Sequence, residues 1–167
     1  MIPAARLASV IEILEKVEDE NLNIDHLLVR YFKRRRYAGS KDRRQIRERI
    51  YRIVRNRFKL EWWLQEVIGE PHTSRLLVLS DLAFFEFCSQ SELDKIFNGA
   101  MHHPERLNQK EKEIYQALVG KEICHDQMPM NVRFECPGWI FAKLEHAFGS
   151  ELEKCMLALS EEASLDL

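Results

Sequence analysis

The sequence predicts an all-α protein, a bundle of about seven helices followed by one or two connecting helices. Apolar residues recur at helical spacing in segment after segment, as at Leu7, Val10, Ile11 and Leu14. No segment has the alternation of apolar and polar residues that marks a half-buried strand. Among the 167 residues, 46% are hydrophobic and only six are glycine and five proline, as expected for a helical globular chain.

Local signals indicate where the first helices begin and end. Residues 3–17 form the first helix, with Pro3 in its first turn. Asp25 is expected to cap the second helix, which stops near Gly39 in a left-handed turn. Ser40 is expected to cap the third helix.

The middle of the chain predicts the most buried element. The segment from Thr73 to Phe87 is hydrophobic on most sides and should lie at the centre of the bundle. Before it, a helix from Leu60 ends at Gly69. Three pairs of residues have the spacing of helix starts: Ser91 with Asp94, Asn108 with Glu111, and Ser150 with Glu153.

Several classes of function are disfavoured. The motifs GxGxxG, GxxxxGK[ST], GxSxG and HExxH are absent. The four cysteines and six histidines have no spacing typical of structural zinc or of a disulfide framework. The apolar runs are too short and too charged to cross a bilayer, and no secretory signal is visible. We therefore expect a cytoplasmic chain with no catalytic residues, metal, cofactor or membrane contact of its own.

One stretch is distinguished by its charge. Residues 30–59 contain fourteen of the 25 Lys and Arg residues but only two of the 27 Asp and Glu residues. Eleven of the fourteen are arginine, whose guanidinium suits phosphate oxygens and base stacking. Most charge runs are simply solvated helix faces. However, a net charge near +12 in thirty residues repels itself unless a polyanion relieves it, which favours nucleic-acid binding through the phosphate backbone.

The helical period divides this stretch into two sides. One side of the third helix is expected to be buried through Ile46, Ile50, Ile53 and Val54. The opposite side carries Arg44, Arg52 and Arg55, flanked by Arg47 and Arg49. Tyr37, in the loop before the helix, is the aromatic residue best placed to meet a base. Since the arginines extend over two helices and a loop, structured RNA is favoured over DNA.

Several motifs resemble one protein family. They are residues 36–44 (RYAGSKDRR), 46–47, 51–55 and 1–14, then Pro137 to Ile140 with Phe148 and Gly149, and finally residues 163–167 (ASLDL). Together they resemble the N-terminal region of the Sun/Fmu (RsmB-type) rRNA cytosine-5 methyltransferases. The NusB-like helix with the pattern H-A-[AV]-[VL]-N-E-[AT]-V is not found.

The resemblance implies a NusB-like RNA-binding domain at 1–130. It also implies connecting helices at 131–167 that lead to a methyltransferase domain, which these residues do not contain. That catalytic domain would use S-adenosylmethionine and would act in cis on RNA, expected to be rRNA.

The predicted RNA-facing residues come from two sources. The resemblance implies Arg34, Arg35, Arg36, Lys41, Arg43, Arg44 and Arg47, and the helical wheel and the loop add Arg52, Arg55 and Tyr37. Two other functions stay open at this point. One is a free-standing NusB-like transcription antitermination factor, and the other is a protein-interaction module with an acidic partner.

Overall fold

The computed structural model describes residues 1–20 and 23–160 and confirms the all-α fold, with no strand in those ranges. The α-helices are α1 (Pro3–Glu20), α2 (Ile24–Arg34), α3 (Ser40–Arg55), α4 (Arg57–Trp62), α5 (Ser74–Phe85), α6 (Gln90–Ile96), α7 (Gln109–Leu118), α8 (Met130–Arg133), α9 (Gly138–Phe148) and α10 (Leu152–Ser160). A π-helix at Trp63–Ile68 continues α4, and a 3-10 turn at Gly149–Glu151 precedes α10.

The chain forms two compact units, Met1–Ile123 and Cys124–Leu167. The first unit holds α1 to α7, and the second holds α8 to α10. The sequence motif at residues 163–167 lies outside the described residues.

Helix α5 is the centre of the first unit, as its composition predicts. Ten of its 12 residues are buried, including Ser80 and Asp81. Helices α1, α3, α4 and α7 all pack against it. Its N-cap is Thr73, whose side chain accepts a hydrogen bond from the Leu76 amide at 3.1 Å.

Helix α3 is held to the bundle by its isoleucines. Ile46, Ile50 and Ile53 are each at most 1% exposed. Val54 is 39% exposed, so its predicted place in the core is wrong. Val54 follows Ile53 directly, and a step of about 100° around the helix axis turns it away from the side that faces α1 and α5.

Two predicted caps at the ends of α2 and α3 are displaced. Asn23, rather than Asp25, caps α2, and its side chain accepts from the Asp25 amide at 2.9 Å. The N-cap of α3 is Gly39, with Ser40 as the first helical residue. Gly39 has φ −68° and ψ 169°, which is extended and not left-handed. The chain has already turned before it, because the Ala38 amide donates to the Arg35 carbonyl at 3.1 Å.

Later helix starts were predicted with mixed success. Asn108 and Glu111 form the expected capping box of α7. For α6, the capping box is made by Ser89 and Glu92, two residues earlier in the sequence than the predicted pair of Ser91 and Asp94. The last helix, α10, starts at Leu152 directly after the 3-10 turn, and its predicted box is not formed.

The π-helix follows α4 and contributes to the core. It buries Trp63 and Leu64, and the Trp63 indole donates to the Ile123 carbonyl at 2.9 Å. Gly69 ends it with φ 78°, a left-handed conformation that favours glycine.

The second unit has a small core of its own. Cys136, Leu152 and Met156 are buried there. Partly buried side chains packed against them are Phe134, Ile140, Phe141 and Leu144. This core joins α9 and α10 with the segment that leads into α9.

The different burial of Ile50 and Val54 gives a direct test of how α3 is oriented. Ile50→Ala should lower the free energy of unfolding by about 2 to 4 kcal/mol, because it opens a cavity in a fully buried site. Val54→Ala, a matched change on the same helix, should cost about 0.5 kcal/mol or less. Urea unfolding of both variants measures the difference, and equal losses would contradict this orientation.

Candidate nucleic-acid interface

The turn between α2 and α3 exposes one aromatic ring. Tyr37 is 70% exposed, while its neighbour Ala38 is buried. The Arg43 side chain fixes the turn to α3, because its Nε donates to the Ala38 carbonyl at 2.7 Å. The Tyr37 ring is therefore open to solvent, just before the arginines of α3 in the chain.

An open groove runs along α3, with a volume of about 1100 Å³. Its basic lining consists of Arg43, Arg44, Arg47, Arg52 and Arg55. Among the described residues, Glu48 is the only carboxylate that lines it. Tyr51 and the backbone of the turn complete the lining. We call this feature the α3 groove.

Several of these guanidinium groups lie over aromatic rings. The Cζ atoms of Arg43 and Arg47 lie 5.6 and 5.5 Å from the centroid of the buried Phe32 ring. Arg55 lies 6.0 Å from the Tyr51 ring. Guanidinium groups over a ring face are attracted to it while their edges stay available for hydrogen bonds. The groove therefore presents partly ordered cations.

Many of the basic side chains in this region have no acidic partner. Within residues 1–20 and 23–160, no carboxylate forms an ion pair with Lys33, Arg34, Arg36, Lys41, Arg43, Arg47 or Arg55. We call these seven side chains the basic surface. Arg44 pairs with the exposed Glu48 at 2.7 Å, a contact that contributes little at a solvated site.

The acid at the start of α3 does not neutralise the basic surface. Asp42 accepts from the amino group of Met1 at 2.9 Å and from Arg6 at 3.1 Å. These hydrogen bonds lower the pKa of its carboxyl group below the ordinary value. Its charge is therefore matched by Met1 and Arg6 and not by the arginines of α3.

Arg52 lies differently from the position that the helical wheel indicated. Its Nε and Nη2 donate to the two oxygens of Asp81 at 2.6 and 2.7 Å. Asp81 is 0% exposed, and Arg49 donates to it as well, at 2.9 Å. Both arginines also contact Glu86, at 2.5 and 2.9 Å. This pair of arginines thus links α3 to α5.

The hydrogen bonds of this cluster favour its charged state. Hydrogen bonding to Asp81 raises the pKa of Arg52. Burial opposes ionisation of Glu86, but hydrogen bonds and charges from Arg49 and Arg52 outweigh burial and lower its pKa. An uncompensated charge on Asp81 would be costly inside the bundle, so the two arginines are required where they are.

Arg35 also has an internal partner. Its Nη2 donates to both oxygens of Glu12 at 2.8 Å, and its Cζ lies 4.0 Å from the Tyr31 ring centroid. Tyr31 donates to the same carboxylate at 2.8 Å. Burial opposes ionisation of Glu12, yet its hydrogen bonds and the charge of Arg35 lower its pKa. Arg35 is therefore a fixed cation that is partly exposed.

The structure thus sorts the predicted residues into two groups. Most remain exposed around the turn and the α3 groove: Arg34, Arg36, Tyr37, Lys41, Arg44, Arg47 and Arg55. Arg43 is partly buried by its bond to the turn, and Arg35 and Arg52 are tied to carboxylates. Lys33 is exposed and was missed, although it lies in the same charge run.

Comparisons with protein-family models, curated proteins and solved structures find no match for this chain. Within the described residues, no group of three or more His, Cys, Asp or Glu side chains could hold a metal ion. None of the described helices is long and apolar enough to cross a membrane.

The two kinds of arginine on α3 should differ in their effect on stability. Arg52→Gln should lower the free energy of unfolding by about 2 kcal/mol or more, because it leaves Asp81 with one cationic partner. Arg55→Gln removes the same charge from an exposed site of the same helix and should cost about 0.5 kcal/mol or less. Thermal and urea unfolding distinguish the two, and an Arg52→Gln variant as stable as wild type would contradict the anchoring role.

Proposed function

We propose that this chain is an RNA-binding domain that holds structured RNA on the basic surface. The observation that carries the proposal is the set of seven basic side chains that have no carboxylate partner in the described chain. They extend from the end of α2, through an exposed turn, to the last turn of α3.

The distribution of acids supports a polyanionic partner over a merely solvated face. The chain as a whole carries a formal charge of −2. Its acids outnumber its basic residues, yet none of them pairs with the basic surface in the described chain. Asp42 pairs with Met1 and Arg6, Asp81 pairs with Arg49 and Arg52, and Glu12 pairs with Arg35. When cationic side chains neutralise phosphates, the counterions condensed on the nucleic acid are released. This release makes binding to such a surface strongly favourable at low salt.

The arrangement of the cations favours RNA. They lie along the length of one helix and around the preceding turn, rather than at the N-terminus of one recognition helix. An exposed tyrosine beside them is suited to stack on an unpaired base, which single-stranded loops and bulges of RNA provide. RNA read by its shape and backbone is therefore the preferred ligand.

We further propose that the domain serves a methyltransferase. This part rests on the motif resemblance to the Sun/Fmu (RsmB-type) rRNA cytosine-5 methyltransferases. In that arrangement the domain would bind rRNA while a catalytic domain in cis, loaded with S-adenosylmethionine, modifies a cytosine. In this proposal, the part of the chain described here binds and positions the RNA.

Salt dependence of binding tests the RNA proposal. Affinity for a structured rRNA hairpin, measured by fluorescence anisotropy from low to moderate salt, should fall linearly on a log–log plot by about 0.7 to 0.9 per phosphate contact. The triple variant Arg36→Gln, Arg47→Gln, Arg55→Gln should reduce the steepness of that slope by about 2 to 3.

A matched control removes the same charge elsewhere. Lys95→Gln, Lys110→Gln and Lys121→Gln change three exposed lysines of α6, α7 and the turn after α7. This control should keep the wild-type slope. Equal slopes for the two triple variants would contradict a localised RNA surface, and competition by polyglutamate as effective as by RNA would favour an acidic protein partner instead.

A further inference from the structure

Three arginines of the α3 groove are arranged in a row along the helix. Arg43, Arg47 and Arg55 line the groove at a spacing of four residues, and Tyr51 takes the one remaining position of this series. Side chains four residues apart form a ridge on the surface of an α-helix. Each step of this ridge rises about 6 Å along the helix axis, so the ridge is about 18 Å long. We call these four side chains the α3 row.

Contacts with helix α2 and within the row restrict these side chains. The Phe32 ring of α2 lies within 5.6 Å of the first two guanidinium groups of the row. The Tyr51 hydroxyl donates to the carboxylate of Asp25, in the first turn of α2. The guanidinium of Arg55 lies 6.0 Å from the centroid of the Tyr51 ring. Because the rotamers of the whole row are restricted, less entropy is lost when a ligand binds.

Carboxylates border the α3 row on both sides. On the side of α2, Asp25 accepts the hydrogen bond from Tyr51. On the other side lies the next ridge of α3, where Glu48 pairs with Arg44 at 2.7 Å. A second line of phosphates beside the first would therefore lie near carboxylates. The row fits one strand of a nucleic acid better than the two strands of a duplex.

We propose that the α3 row binds one unpaired RNA strand, whose phosphates follow the arginines while a base stacks on Tyr51. This inference rests on the proposed RNA-binding function, and it names the part of a structured RNA that the α3 groove takes, a loop or another unpaired segment. The rise of about 6 Å per step is close to the distance between neighbouring phosphates of one strand. Each arginine of the row therefore meets one phosphate, and the uncharged ring between them is available to a base.

The main experiment compares a short RNA strand that has no self-complementarity with the duplex that it forms with its complement. The full chain should bind the strand about tenfold or more tightly than the duplex, because only unpaired bases can stack on Tyr51. Fluorescence anisotropy of the end-labelled RNAs at one low salt concentration measures both affinities. A duplex bound as tightly as the strand would overturn this inference and leave the proposed RNA binding intact. Absence of binding to both of these RNAs and to the structured hairpin would overturn the inference and the proposed function together.

Changes at Tyr51 test the stacking. Tyr51→Ala removes the ring and should reduce the affinity ratio of strand to duplex towards one. Tyr51→Phe is the matched control, because it loses the hydrogen bond to Asp25 but keeps the ring, and it should keep the wild-type ratio. A wild-type ratio in the Tyr51→Ala variant would overturn stacking at this position.

A pair of charge changes on α3 tests the phosphate contacts. Arg47→Gln should reduce the slope of log affinity against log salt for the unpaired strand by about 0.7, the value for one phosphate contact. Gln45→Glu lowers the net charge by the same single unit, at an exposed position that the helical period places on the far side of α3, and should keep the wild-type slope. Equal reductions of the slope in the two variants would overturn the α3 row as the phosphate site.

Discussion

The pairing of Arg49 and Arg52 with the buried carboxylate of Asp81 is the interaction on which the rest of the arrangement depends. Asp81 lies in the most buried helix and is 0% exposed, so its charge is tolerated only because two guanidinium groups reach it from α3. With the isoleucines beside them, these contacts fix both the position and the rotation of α3 on the bundle. The rotation in turn decides which arginines face solvent.

The arginines of α3 therefore fall into two groups with different roles. Arg49 and Arg52 contribute to the fold, whereas Arg47 and Arg55 on the same helix have no carboxylate partner in the described residues. Repulsion among the unpaired cations lowers stability slightly, and the buried isoleucines and the Asp81 contact offset that cost. The same holds for Arg35, which Glu12 and the Tyr31 ring hold at the C-terminal end of α2. An arrangement of fixed cations next to unpaired ones fits the proposed ligand, structured RNA, which carries charge and has a defined shape.

Much of the fold could be predicted from the sequence, because it depends on the helical periodicity of apolar residues within short segments. The all-α class, the buried α5 and the isoleucine side of α3 follow from the spacing of apolar residues. The features that the sequence did not reveal depend on contacts between residues far apart in the chain. A helical wheel does not show that Arg52 meets Asp81, 29 positions later. Likewise, the bond from Arg35 to Glu12 joins residues 23 apart, so no spacing rule indicates it. Gly39 was misjudged because the chain turns at Arg35 to Ala38, through a backbone hydrogen bond that composition does not reveal.

Arginine footprinting tests the central claim most directly, because it asks which guanidinium groups are accessible and which are covered by RNA. Phenylglyoxal modification, with and without an rRNA hairpin and read out by mass spectrometry, should show Arg36, Arg47 and Arg55 reacting readily and becoming protected by RNA. Arg49 and Arg52 should react slowly in both states. Rapid modification of Arg49 and Arg52 in the free protein, or no protection of the first three by RNA, would contradict the account.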